Sequence, residues 1–297
     1  MKVELESLGF SYKGQDSVLR NIDLTIDEPG LICIIGPNGV GKSTMVKCMN
    51  KLLIPTAGKA ELDGREVKSY SLKELSTRVG FVPATSSDSF SMTVADTVLM
   101  GRHPYAKLGS EKEDMHKVYE ILKALNITHL ALRNYNELSA GQHQKVSIAR
   151  GLAQEPQILI LDEPTANLDV RHQVQVIELL QRVSHEKNIT IIMISHELNV
   201  ASKYADRVIV MSTPGIIYRT GTPNEVITED TVRYVYGMNC RIIDDCGRPH
   251  VILGTPLSDE EIRELHKMRT NSSDDRHEDD QHRCQGQGRS VPDIRKE

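Results

Sequence analysis

LICIIGPNGVGKST, residues 31–44, decides how this chain folds. An unbroken apolar run enters a glycine-rich turn that Gly41, Lys42 and Ser43 close. The run reads as a strand buried on both faces, because a strand with one wet face alternates apolar and polar residues. Gly36, Gly39 and Gly41 permit a tight turn that aims backbone N–H groups at an anion. The segment from Ser43 onward reads as a helix, whose positive dipole end adds to that field. GPNGVGKS satisfies GxxxxGK[ST], a loop that cradles nucleotide phosphates. In that pattern Lys42 reaches the β- and γ-phosphates and Ser43 ligates Mg²⁺, with Asn38 and Thr44 counted among the nucleotide-facing residues.

Downstream, apolar strands recur at 158–161, 189–194 and 208–211, separated by helix-period segments such as Val174, Ile177, Leu180 and Val183. That alternation predicts an α/β fold with a largely parallel, doubly covered sheet. Upstream, Val3 and Leu5 alternate with glutamates, and Ile22, Leu24 and Ile26 with polar residues, as in a sheet with one wet face. Asp63-Gly64 marks a tight turn. Between phosphate loop and second apolar strand, Met115, Val118, Ile121, Leu122 and Leu125 recur at helical spacing. The stretch from about 85 to 155 therefore reads as a helical insertion, either a further layer of the core or a separate subdomain.

Asp162 and Glu163 end the strand at 158–161, the edge where open α/β sheets hold ligands. Asp162 suits Mg²⁺, held mainly through the ion's water shell. Glu163 suits orientation or deprotonation of an attacking water, or else caps the next helix. His196 follows another apolar strand and belongs on the same edge, within reach of a γ-phosphate. Leu138-Ser139-Ala140-Gly141-Gln142 contains a capping box from Ser139 to Gln142, so it opens a helix whose N-terminus is an anion site. The motif by itself also fits an ordinary capped helix.

Composition narrows the class. The 36 basic and 41 acidic residues give a formal charge of −5, which argues against a dedicated nucleic-acid partner. No apolar run approaches the roughly 20 residues of a membrane-spanning helix. The opening MKVELESLGF alternates like a strand and lacks the apolar core of a signal peptide, so a cytoplasmic location is expected. Five cysteines without CxxC spacing read as reduced thiols. Ser258-Asp259-Glu260-Glu261 caps a C-terminal helix expected over 256–269, and residues 270–297, with His277, His282 and Cys284, read as a disordered tail.

GPNGVGKST, LSAGQ, ILILDEPTANLD and ISHE, in that order, resemble the ATP-binding cassette family over about residues 1–255. The resemblance implies a P-loop NTPase (RecA-like) core, an antiparallel β subdomain and an inserted helical subdomain. It implies ATP and Mg²⁺ as cofactors, with Glu163 and His196 catalytic and Ser43 and Asp162 at the metal. It also implies that Tyr12 stacks on adenine, although a strand-end tyrosine packing on the core fits as well, and that Asp169 lies in a dimer-contact loop. Two cassettes then pack head to tail, each phosphate loop facing the partner's Ser139, Gly141 and Gln142.

TVLMGRHPY at 97–105 and GRPHVI at 247–252 are similar to cassettes that import iron-siderophores, haem or cobalamin. The expected partners are a second copy of this chain, a polytopic permease and, indirectly, an extracytoplasmic substrate-binding protein, at the cytoplasmic face of the membrane. The alternative is a non-transport or regulatory cassette with weak turnover. Two positions depart from the family. Ala140 replaces the usual first glycine of the signature, which strains the chain only if its φ is positive. Ala84, after Phe81-Val82-Pro83, stands where the family places a switch glutamine, which predicts slowed or weakly coupled hydrolysis.

Overall fold

The computed structural model describes residues 1–84, 92–106, 110–166 and 168–265. Thr85, Asn167 and the expected tail with His277, His282 and Cys284 lie outside the described residues. The central sheet has six strands in the order Ile216–Gly221, Arg207–Ser212, Gly30–Ile35, Thr190–Ile194, Ile158–Leu161 and Val79–Val82. Neighbours run parallel except Ile216–Gly221, which is antiparallel to Arg207–Ser212.

The unbroken apolar runs have a simple cause. Along Gly30–Ile35 every residue is buried, and the side chains divide by parity. Leu31, Cys33 and Ile35 join one core cluster, and Ile32 and Ile34 join another on the opposite face. Leu159 and Leu161 separate from Ile158 and Ile160 in the same way, as do Ile191 and Met193 from Ile192 and Ile194. Each such side chain contributes about 1.5–3 kcal/mol on burial, and a polar residue at any of these positions would lose its hydration on one face or the other.

On one face lies the antiparallel sheet, ordered Ser17–Ile26, Val3–Ser11, Ala57–Leu62 and Arg65–Glu66. Asp63 (φ 50°) and Gly64 (φ 77°) form its tight turn, both in the left-handed region that a two-residue hairpin loop requires. On the other face lie the helices Val94–Leu99, Glu111–Ala124 and Ala140–Ala153. Val118, Ile121, Leu122 and Leu125 share one buried cluster with Leu31 and Leu161, so the helical insertion is packed onto the sheet. Buried Arg102, in the 3₁₀ turn Met100–Tyr105, ties parts of the insertion to one another. Arg102 donates to Asp114 (2.9 Å), Glu155 (2.9 Å) and the Ala153 carbonyl (2.8 Å), with its guanidinium 4.2 Å from the Tyr105 ring centroid.

The hairpin of Met238–Asp245 and Arg248–Pro256 sits on the helix Leu198–Tyr204. Asn199 holds it by accepting from the Val251 N–H (2.7 Å) and donating to the Val251 carbonyl (3.1 Å). Residues 259–265 are helical, and Ser258 and Glu261 form the capping box expected from the sequence.

Candidate active site

Parallel register brings the chemistry to one edge. Ile34 pairs with Ile194, Met193 with Leu161, and Leu161 with Val82, so the residues after these strands emerge side by side. They are the phosphate loop from Gly36, the pair Asp162 and Glu163, the segment Ser195-His196, and Ala84. Gly41 (φ 102°) is the residue before the helix Lys42–Met49. A side chain there would meet Leu19 at 2.7 Å in a conformation L-residues rarely adopt, so the loop is closed by glycine.

A cavity of about 280 Å³ lies at this edge, lined by Tyr12, Asn38, Gly39, Gly41, Lys42, Ser43, Thr44, Glu163 and His196, together with Gln15 and Val18. Buried Lys42 donates to the carbonyls of Gly36 (2.7 Å) and Pro37 (2.8 Å). Burial lowers its pKa, while Glu163 and Asp162 act to raise it. Phosphate oxygens are stronger partners for an ammonium than neutral carbonyls are. Ser43 Oγ donates to Asp162 Oδ1 at 2.9 Å, which sets two oxygen ligands side by side beside the cavity. An all-oxygen set with one carboxylate fits Mg²⁺, an ion that keeps several waters and takes the rest of its shell from phosphates.

Glu163 has φ 51°, unusual for a residue other than glycine, and its carboxylate Oε1 lies 2.6 Å from His196 Nε2. The pair shares the cavity with the phosphate loop. Tyr12 lines the cavity and also touches the strand that carries Phe10. Its ring packs edge-on against Phe10 (4.9 Å between centroids, 85° between planes), and its hydroxyl lies 3.4 Å from Thr44 Oγ1 at the cavity wall. Gln15 and Val18 carried no motif signal. They reach the cavity because the hairpin joining Val3–Ser11 to Ser17–Ile26 leans over the phosphate loop.

Six of the sequence-selected residues are not among those lining this cavity: Gly36 and Asp162, which hydrogen-bond to its Lys42 and Ser43, and Ser139, Gly141, Gln142 and Asp169. Ser139 caps the helix Ala140–Ala153 by accepting from the Gln142 N–H (3.4 Å), and Gln142 Oε1 accepts from the Ser139 N–H (3.0 Å). Ala140 is the first helical residue and is absent from the residues with positive φ, so alanine carries no backbone penalty there. Asp169 caps the helix Val170–Lys187 by accepting from the His172 N–H at 3.0 Å. Its carboxyl is held below the usual range, first by that bond and next by the His172 ring.

Ala84 is exposed just beyond the strand Val79–Val82 and also does not line the cavity. Ala84→Gln is expected to raise ATP turnover about tenfold. That is a fraction of the on-the-order-of-10² effect a positioned polar group can have, because an exposed side chain must first be ordered. Phosphate release from the two proteins side by side measures it, and equal rates would contradict a switch role for this position.

A family model described as ABC transporter matches residues 19–166. An uncharacterised ABC transporter ATP-binding protein of Methanocaldococcus jannaschii is 40% identical over 252 residues, covering 85% of this chain and 98% of that one. The ferric enterobactin transport ATP-binding protein of Escherichia coli is 38% identical over 254 residues, covering 85% and 91%. Among solved structures, a dimeric post-hydrolysis ATP-binding cassette bound to ADP and Pi is similar with a TM-score of 0.64 at 30% identity, covering 74% of this chain and 98% of that one.

Proposed function

The chain belongs to the ABC transporter family, and on that premise we propose that it is the ATP-hydrolysing subunit of an importer for an iron-siderophore, haem or cobalamin-type cargo. The observation that carries the reading is the meeting of Lys42, Ser43, Glu163 and His196 in one cavity, with Asp162 hydrogen-bonded behind Ser43. The loop N–H groups and Lys42 bind the phosphates. Glu163 orients the attacking water and takes its proton as the water oxygen bonds to the γ-phosphorus and the bond to ADP breaks. His196 holds the Glu163 carboxylate in place. Bound at Ser43 and Asp162, Mg²⁺ supplies charge neutralisation to the phosphates.

The anion site at Ser139 does not face this chain's own cavity, which supports a site completed by a second copy packed head to tail. No described helix is long and apolar enough to cross a membrane; in the importer reading the pore belongs to another chain, with this one peripheral to the bilayer. A groove of about 590 Å³ between the helix Leu72–Ser76 and the turn Met100–Tyr105 suits a cytoplasmic segment of that permease. Its rim exposes Leu72 and Met100, apolar side chains that a docked helix would cover. The similarity to a ferric enterobactin transport protein supports the iron-chelate assignment.

The test is affinity capture from detergent-solubilised source membranes with Glu163→Gln and ATP, followed by mass spectrometry. Recovery of one polytopic permease in stoichiometric amount is expected, and the binding protein assigned to that permease would name the cargo. Recovery of ribosomal proteins, or of the cassette by itself, would overturn the importer reading.

A further inference from the structure

His172 has no place in the motifs discussed above, yet it connects two of them. Its backbone N–H and its ring Nδ1 engage the two oxygens of Asp169, at 3.0 Å to Oδ1 and 2.8 Å to Oδ2. The opposite edge of the ring lies against Gly141. A side chain at Gly141 would stand 2.8 Å from His172 Cδ2, 3.1 Å from Cγ and 3.4 Å from Cβ. Gly141 is therefore small because this imidazole occupies the space, and its φ is not in the left-handed region. The ring is a spacer between the loop that carries Asp169 and the helix N-terminus that carries Ser139.

We propose that His172 is a positioning residue for the partner's nucleotide: it sets the Ser139 helix end at a fixed distance from Asp169, so that both meet the partner's phosphate loop as one rigid surface. This rests on the head-to-tail pairing proposed above. Both carboxylate oxygens of Asp169 are committed to His172, so a movement of the Asp169 loop on contact with the partner is passed to the ring, and from the ring to Gly141. A methyl group at position 141 would not fit without displacing the ring, which is otherwise 42% exposed, so the link is this direct contact. Misplacement of a phosphate-facing group by about 1 Å costs on the order of 10²-fold in rate.

His172→Ala is expected to lower ATP turnover roughly 10- to 100-fold. ATP affinity of the separated subunit, measured by titration with a fluorescent ATP analogue, should be unchanged, because the chain's own cavity does not include His172. His172→Asn keeps a donor at the Nδ1 position and an atom near Cδ2, and should recover most of the loss. The deciding measurement pairs differently tagged chains. A dimer with Lys42→Ala in one subunit and His172→Ala in the other retains one sound composite site. A dimer with both changes in one subunit and none in the other retains none, so the first should turn over faster.

Equal rates for the two pairings, or loss of ATP binding by His172→Ala itself, would make His172 a folding residue and overturn the proposal. Wild-type turnover with no ATP-dependent dimer would instead overturn the pairing on which it rests.

Discussion

Glu163→Gln is expected to bind ATP with near-normal affinity and to hydrolyse it on the order of 10³-fold more slowly. Glutamine preserves the size of the side chain and still offers an oxygen to His196 Nε2, now 2.6 Å from Glu163 Oε1. What it removes is a carboxylate able to accept a proton from water. The left-handed backbone at Glu163 carries the second carboxylate of the pair out of the line of the strand and into the cavity. Strain held at such a position is typical of a functional residue. His196→Ala should have a smaller effect, because it loosens the carboxylate without abolishing it. Single-turnover phosphate release separates chemistry from product release, and size-exclusion chromatography with ATP should show the slow variant accumulating as a dimer. Turnover within about threefold of wild type would remove Glu163 from the catalytic role and return it to capping.

Lys42→Met is expected to separate binding from folding. The ammonium gives two hydrogen bonds to loop carbonyls in the described state, and phosphate oxygens are stronger partners for it. Losing about 3 kcal/mol of charge-assisted bonding raises the dissociation constant for ATP roughly 10²-fold. Stability should change by less than about 1 kcal/mol, since methionine fills a similar volume and the removed group was a desolvated charge. Calorimetric titration with Mg-ATP reports the first quantity and thermal unfolding of the apo protein the second. A large fall in unfolding temperature would make Lys42 a support of the loop and sink its assignment as a phosphate ligand.

The cavity was legible wherever a residue type and its strand-end position coincide. Lys42, Ser43, Asp162, Glu163 and His196 each follow an apolar run, and parallel strands deliver their successors to one edge. Gln15 and Val18 were illegible because their role comes from a hairpin folding over a loop distant in sequence. His172 was illegible for a related reason: its partners, Asp169 and Gly141, lie on two different helix ends.

The amino-acid order by itself determined the α/β class, the central strand and the phosphate loop. Periodicity and turn chemistry act over a few residues, and a strand covered on both faces admits no polar interruption. Only the tertiary structure decided three other matters. Ala140 is harmless, because its φ is set by a helix start. The helical insertion shares the sheet's core, because Val118 and Leu122 find Leu31 and Leu161 across the chain. The Ser139 helix end lies beside His172 and Asp169 and does not line the chain's own cavity, because its helix is placed by core contacts between residues distant in sequence.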